Sequence, residues 1–273
     1  MRNDIGGSGL SPEELQEYEE LRSKGMLPLE IDRKRDRYFK FLFGTLEHKV
    51  MLLDLLNTAL VLMGYEPLAD ITLVDRELSP YILDGKGLRL DLVGRTVDGR
   101  TVNLELQRDD RDDFVKRALY NSATIVHRQL SKGDDYSQLC QTIFVGIVDF
   151  TMFEGKSWYW DYVLSHPETG RVLTTDLLLI FVEMKKLKGQ LDELRHKVGA
   201  GTLNPKDLLT RLALWGGYIS NQGVDLVEQV QKADPVFQQV MKAEQDYWGD
   251  SRNRFLQMLE ERAERDSYSA LQS

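Results

Sequence analysis

Two short alternating segments constrain the fold of this chain more than any other feature. Residues 88–96 and 101–107 each alternate apolar and polar side chains with a period of two, which predicts two β-strands. Between them, Val97-Asp98-Gly99 predicts a tight hairpin turn. The length of this turn decides which side chains of the two strands share a face of the sheet.

The apolar pattern selects a three-residue loop. A two-residue loop would pair Asp91 with a leucine of the second strand, and the leucines of the two strands would then point to opposite faces. A three-residue loop with Gly99 in the left-handed conformation instead pairs Leu92 with Leu104. Asp91 then lies directly opposite Glu105.

This register gives the hairpin a second, polar face, on which Arg89 lies opposite Gln107. Two opposed carboxylates repel each other across a sheet. Arg89 could offset that repulsion, and a divalent cation would do so better, because Mg²⁺ takes oxygen ligands from one or two carboxylates together with water and substrate phosphate. Spacing alone leaves two interpretations open: a metal site, or an ordinary antiparallel hairpin with a solvent-facing polar side.

The remaining elements predict an α/β core with a helical extension. Predicted helices follow a capping box at Ser11-Pro12-Glu13-Glu14 and cover residues 46–63, 112–130, 184–198, 205–220, 224–233 and 235 to near the end. Predicted strands cover residues 71–78, 88–96, 101–107, 142–149, 158–164 and 174–183. We expect a flexible N-terminus with a leading helix (1–30), a core (31–190) and a helical C-terminal extension (191–273).

Charge and composition limit the class of protein. The chain carries a net charge of −9, and 42% of its residues are hydrophobic, which is ample for a packed core. It has no apolar run of the ~18 residues that a membrane span needs and no signal-peptide pattern, so we expect a cytoplasmic protein without a membrane partner. A single cysteine, Cys140, excludes an internal disulfide. The acidic charge counts against nucleic-acid binding, although the basic run at 33–37 could form a local patch.

Residues 89–93, 98–100 and 103–107 (RLDLV, DGR and NLELQ) resemble motifs of the PD-(D/E)XK nuclease superfamily. More narrowly, they resemble the bacterial recombination-promoting nucleases, also called PD-(D/E)XK transposase-like proteins, and the similarity spans about residues 36–190. The resemblance implies a restriction-endonuclease-like mixed sheet flanked by helices. It also implies metal-dependent cleavage of DNA, linked to recombination or mobile elements, with Mg²⁺ as cofactor and Mn²⁺ as a substitute.

The resemblance also assigns roles to individual residues. Asp91 and Glu105 would be metal ligands, and Gln107 stands where the superfamily usually has a lysine. A neutral amide can only hydrogen-bond, so Gln107 would position the attacking water without supplying charge. Contacts to DNA phosphate would come from a basic and polar set of residues, namely Arg89, Lys116, Arg117, Tyr120 and Gln129. For the residues on helix 112–130, an ordinary solvated helix face is the competing interpretation.

Three functions remain open from the sequence. The first is a Mg²⁺-dependent deoxyribonuclease whose partner is DNA. The second is a catalytically inactive nuclease-fold module with an interaction or regulatory role, which the acidic charge favours. The third is an RNA nuclease. The many acidic residues of the extension, 191–273, favour a protein contact there, such as a homo-oligomer, over a DNA contact.

Overall fold

The hairpin follows the three-residue register in the computed structural model, which describes residues 10–74, 91–110 and 113–272. Leu92 pairs with Leu104, the Thr96 amide donates to the Arg100 carbonyl at 2.9 Å, and Gly99 has a φ of +87°. The predicted register is therefore confirmed. The first part of the predicted strand 88–96, including Arg89, lies outside the described residues.

Six strands form one mixed sheet in the part of the chain that the structure describes. They are β1 (Thr72–Leu73), β2 (Leu92–Arg95), β3 (Thr101–Gln107), β4 (Thr142–Val148), β5 (Tyr159–Ser165) and β6 (Val172–Glu183). Their order is β1-β2-β3-β4-β6-β5. The three central strands, β3, β4 and β6, run parallel, and the outer pairs are antiparallel.

Helices flank both faces of this sheet. The described residues form α1 (Pro12–Ser23), α2 (Asp36–Phe43), α3 (Lys49–Leu62), α4 (Phe114–His127), α5 (Lys188–Gly199), α6 (Leu208–Ile219), α7 (Val224–Val230), α8 (Pro235–Gly249) and α9 (Ser251–Gln272). The α4 helix packs on one face through Phe114 and Ala118, and α2, α3 and α6 join the cluster on the other face. The predicted α/β class with a C-terminal helical extension is confirmed.

Two predictions about the helices were wrong in detail. The predicted helices leave out residues 36–43, which form α2 with Phe39 and Phe43 among its buried residues. The single helix predicted from residue 235 onwards is two helices, because Asp250 adopts an extended conformation and its side chain accepts a hydrogen bond from the Arg252 amide at 2.9 Å. A side chain that caps the next helix in this way ends the previous one.

The polar face of the hairpin is not open to solvent. Asn103 is 0% exposed and Glu105 is 6% exposed, because β3 is an interior strand and α4 lies over this face. The interpretation as an ordinary hairpin with a wet polar side is therefore wrong. Buried polar groups need hydrogen-bond partners, so the partners of these two residues define what the site can do.

One large hydrophobic cluster joins the sheet to the helices α5–α8. The indole of Trp215 on α6, for example, packs against Phe43 of α2 and Phe237 of α8. The boundary predicted near residue 190 thus crosses a continuous core, and the division of the chain into three ranges stays a prediction. Within the described residues, no helix combines the length and apolar character required to cross a membrane.

Candidate active site

Glu105 is the centre of the candidate site. It lies on β3 two residues after Asn103, so the two side chains share the face that α4 covers. The Oε1 atom of Glu105 accepts hydrogen bonds from the Asn103 amide at 2.9 Å and from the Asn121 amide of α4 at 2.8 Å. These two bonds fix the orientation of a buried carboxylate.

The carboxyl group of Glu105 is held in an environment that disfavours its charge. Burial raises the pKa of Glu105 above its usual value, and the nearby negative charge of Asp91 adds to this effect. The hydrogen bonds from Asn103 and Asn121 and the positive charge of Arg117 oppose it. Because the pKa remains raised, a further cation at the site would stabilise the ionised form.

Asp91 lies just before β2 and contacts the backbone of β3 near the end of that strand. Its Oδ2 atom accepts a hydrogen bond from the Leu106 amide at 3.1 Å. In an antiparallel pair the N–H and C=O groups of one residue point to the same side, so the Leu106 carbonyl also points to the Asp91 side of the strand. Asp91 and Glu105 line the same cleft.

These donors fit a hard divalent cation. Two carboxylates and one carbonyl oxygen match the oxygen ligands of Mg²⁺, which commonly uses one or two carboxylates and completes its shell with water. Within the described ranges, no group of three or more histidine, cysteine, aspartate or glutamate residues could hold a metal. All three donors are oxygen atoms, so the donor set suits Mg²⁺ or Mn²⁺ better than zinc, which prefers nitrogen and sulfur ligands.

Gln107 and Arg117 form the next layer of the site. The Arg117 guanidinium donates to the Gln107 side-chain oxygen at 2.7 Å, and the Gln107 amide nitrogen donates to the Asp109 carbonyl at 2.9 Å. Arg117 also lies 3.4 Å from Asp113 in an i,i+4 ion pair. Arg117 thus places a positive charge beside the Gln107 side chain.

The other predicted phosphate contacts do not gather at the cleft. Lys116 and Tyr120 lie on the solvent side of α4, where Tyr120 is 52% exposed. Gln129 lies at the opposite end of the sheet, since its amide nitrogen donates to the Thr142 hydroxyl at the start of β4 and its oxygen accepts from the Cys140 amide. Arg89 is outside the described residues.

Sequence reasoning missed Asn103 and Asn121 as partners of Glu105. A signal for Asn121 was present, because Phe114, Ala118, Asn121 and Ile125 form the buried stripe of α4 and an amide in such a stripe requires a partner. For Asn103, the signal was its position two residues before Glu105, which puts both side chains on one face.

The cleft itself extends well beyond the two carboxylates. It has a volume of about 550 Å³ and brings together the segment before α2, the ends of β2 and β3, α4 and α9. Its lining residues are Lys34, Arg35, Asp36, Phe39, Asp91, Glu105, Leu106, Gln107, Arg108, Arg117, Glu260, Ala263 and Glu264. Four of these side chains are basic and five are acidic, so the cleft brings charges of both signs together.

Comparison with known proteins identifies one family. A family model described as PD-(D/E)XK nuclease family transposase matches residues 33–273. The match includes the hairpin and α4, and it continues through the C-terminal helices, beyond the region 36–190 in which sequence motifs suggest the resemblance. No curated protein and no solved structure matches the chain.

Proposed function

This chain belongs to the PD-(D/E)XK nuclease family transposases, and from that membership we propose that it is an endonuclease that hydrolyses DNA phosphodiester bonds with Mg²⁺. The family itself indicates a nuclease with a role in mobile elements. Dependence on Mg²⁺, cleavage within a DNA strand and a link to recombination are the finer parts of the proposal.

The observation that carries the proposal is the burial of Glu105. A carboxylate that is 6% exposed, fixed by two asparagines and facing the charge of Asp91 costs the folded state free energy. Proteins keep such groups chiefly at functional sites, where perturbed pKa values serve binding or catalysis. A divalent cation bound between the two carboxylates would remove their mutual repulsion and stabilise the ionised form of Glu105.

The residues of the cleft suit phosphodiester hydrolysis. Asp91 and Glu105 would hold the cation, while Asn103 and Asn121 keep the Glu105 carboxylate in place. A bound Mg²⁺ would supply the charge that favours deprotonation of water and stabilises the negative phosphate. The Gln107 amide has two N–H donors, one of which binds the Asp109 carbonyl, so the other can orient a water. Arg117 would offset charge on the phosphate.

A plasmid-cleavage assay tests the proposal. Supercoiled plasmid is incubated with the folded protein in Mg²⁺, Mn²⁺ or EDTA, beside Asp91→Ala, Glu105→Gln and an Asp91→Ala/Glu105→Ala double variant. The control is Glu168→Gln, the same change of charge in the exposed turn between β5 and β6. We expect metal-dependent nicking that the cleft variants lose and the control keeps.

A second comparison separates a positioning role from metal binding. Asn121→Ala removes one of the two hydrogen bonds to Glu105 but leaves both carboxylates. Loss of an outer-shell partner typically lowers metal affinity or activity by about tenfold to a hundredfold, so we expect partial activity that higher Mg²⁺ concentrations restore. Restoration by Mg²⁺ would not occur if Asn121 served only to fold the helix.

The same assay decides between the proposed function and its rivals. A folded sample that cleaves DNA with none of the metals would support a nuclease-fold module with an interaction or regulatory role. Cleavage of an RNA substrate, but not of plasmid, would point to an RNA nuclease. Activity retained in the folded Glu105→Gln variant would refute the assignment of the site.

A further inference from the structure

Three arginines of the cleft region are neutralised by one helix. The Arg35 Nη1 atom lies 2.7 Å from Glu264, Arg108 Nη1 lies 2.9 Å from the same carboxylate, and Arg37 Nε lies 3.1 Å from Glu260. Arg35 and Arg108 line the cleft beside the two candidate metal ligands, and Arg37 is two residues from Arg35. We call Arg35, Arg37 and Arg108 the arginine cluster.

Most of the opposing charges come from one face of α9, and Asp32 adds a carboxylate 3.2 Å from Arg35 and 3.5 Å from Arg108. Glu260, Glu261 and Glu264 follow the i, i+1, i+4 pattern that places them on one side of a helix, and Glu261 lies 3.8 Å from Arg35. We call these three residues the acidic face. A basic residue of the same helix, Arg262, instead pairs with Glu17 of α1 at 2.6 Å.

Arg35 is poorly satisfied by these partners. It is 7% exposed, and its Nε lies 3.2 Å from Asp32 while its Nη1 lies 2.7 Å from Glu264. Although these are ion-pair distances, neither nitrogen makes an aligned hydrogen bond with any part of the chain that the structure describes. A guanidinium fork is best matched by two oxygens of one phosphate or carboxylate. An anion that matched both nitrogens of this fork would therefore satisfy Arg35 more fully than its present partners do.

The contact that holds α9 over the cleft is small. Phe255 packs with Tyr18 and Leu27 in a cluster that is separate from the main core and is surrounded by four partly buried side chains, those of Leu10, Leu21, Met258 and Leu259. The Tyr18 hydroxyl is 2.6 Å from the Ser251 hydroxyl, and Gln257 accepts a hydrogen bond from the Asp32 amide at 3.1 Å. Elements with few buried contacts open at low free energy, so α9 can leave the cleft while the main core stays folded.

We propose that the arginine cluster is a binding site for the backbone phosphates of nucleic acid, and that the acidic face of α9 occupies it until nucleic acid displaces the helix. The inference rests on the proposed nucleic-acid substrate, but it does not require hydrolysis. The α9 helix would then compete with nucleic acid for the arginine cluster. Binding of nucleic acid would therefore be coupled to movement of α9 away from the cleft.

The competition favours nucleic acid for two physical reasons. Ion pairs to partly exposed carboxylates are weak and are screened by salt, and Glu264 is 55% exposed. A nucleic acid instead presents a row of phosphates to all three arginines and releases condensed counterions on binding. The net charge of −9 repels nucleic acid from the protein as a whole, so the arginine cluster would supply a local attraction that offsets this repulsion.

Binding measured without cleavage tests the proposal. The full chain is titrated into a short fluorescein-labelled DNA duplex in EDTA, and anisotropy gives the dissociation constant. Glu264→Gln should tighten binding by about threefold to tenfold, because it removes the competitor shared by Arg35 and Arg108. The matched control is Asp266→Asn, an exposed residue of the same helix with the same change of charge, which should leave the dissociation constant unchanged. An RNA duplex of equal length identifies which nucleic acid is preferred.

Two further measurements exclude a merely structural effect. Adding Arg108→Gln to Glu264→Gln should abolish the gain in affinity. Hydrogen exchange of residues 257–272 should become faster when duplex is added to the wild-type protein. Equal affinity of Glu264→Gln, Asp266→Asn and wild type would overturn the proposal, as would slower exchange in α9 on binding or the absence of any binding. A protein that shows the Glu264→Gln effect but never cleaves would instead refute the proposed hydrolysis alone.

Discussion

The helices α6–α8 and the helix α9 belong to one C-terminal extension, yet they are held in opposite ways. Trp215 and Phe237 of the former are both 0% exposed and belong to the cluster that contains the sheet. Phe255 of α9 is equally buried, but its smaller cluster consists of two other buried residues, Tyr18 and Leu27, and four partly buried ones. One part of the extension thus builds the core, and the other rests on the rim of the cleft.

The sequences of the helices explain this difference. The α6 segment (LLTRLALWGGYI) is apolar around most of its circumference, and ten of its residues are buried, which is typical of a helix inside a core. The α9 segment (SRNRFLQMLEERAERDSYSALQ) is mostly polar, and its contacts combine ion pairs with the small cluster around Phe255. Because surface ion pairs contribute little to stability, α9 is the element of the extension that can move at low cost.

The largest effect is expected from removing matched phenylalanines in the two regions. Phe237→Ala should lower the free energy of unfolding by about 4 kcal/mol, as for other buried phenylalanines in well-packed cores. Phe255→Ala should lower it by no more than about 1 kcal/mol, because α9 can detach while the core stays folded. Urea denaturation followed by circular dichroism measures both, and equal losses would show that α9 is part of the core.

A second pair of substitutions compares the charged contacts of the two regions. Arg211 of α6 lies 2.8 Å from Asp54 and 2.7 Å from Asp234, and its side chain is largely buried. Arg211→Met should cost about 3 kcal/mol, since two carboxylates lose their buried partner. Arg262→Met breaks the exposed pair with Glu17 and should leave the unfolding free energy within experimental error. A large loss in Arg262→Met would mean that α9 is held more firmly than its exposure suggests.

A third prediction concerns Glu105, which lines the cleft together with Glu260 and Glu264 of α9. Its pKa is raised in the folded protein, so the folded state prefers the protonated form. Stability of the metal-free protein should therefore fall as the pH rises from the usual range of a glutamate through the raised pKa. Glu105→Gln removes this cost and should raise Tm by about 2 °C at pH 8.

The pH dependence of that gain serves as its control. Below the usual pKa of a glutamate, Glu105 is protonated in the folded and unfolded chains alike, so Glu105→Gln should give no gain there. Millimolar Mg²⁺ should raise the Tm of the wild type but not that of Glu105→Gln. A Tm for Glu105→Gln below that of the wild type at pH 8 would show that the Glu105 carboxylate stabilises the folded protein instead of destabilising it.

The fold and the centre of the site could be predicted from the sequence where local rules suffice. The period-two pattern and the glycine at position 99 determined the register, since only one loop length keeps the leucines on one face. The proximity of Asp91 to Glu105 follows from that register. Such inferences need only neighbouring strands and a turn.

The remainder of the site depends on long-range packing that no local rule gives. Asn121 reaches Glu105 because α4 crosses over β3, and Arg35 and Arg108 meet Glu264 across more than half of the chain. Gln129 is grouped with the phosphate contacts in the sequence analysis, but the course of α4 along the sheet carries it to the end opposite the cleft.

The smallest expected effect tests the two regions with salt alone. Raising KCl from 0.1 M to 1 M shortens the Debye length from about 10 Å to about 3 Å, which weakens the exposed pairs of the acidic face but not the buried pairs of Arg211. Hydrogen exchange in residues 257–272 should therefore become about threefold faster, while exchange in α6 stays the same. Glu264→Gln has already lost the shared contact to Arg35 and Arg108, so its α9 should respond less to salt than that of the wild type. Apolar contacts are not weakened by KCl. If hydrogen exchange in α9 does not change with salt, the helix is held chiefly by the apolar contacts of Phe255. The acidic face would then not compete with nucleic acid for the arginine cluster.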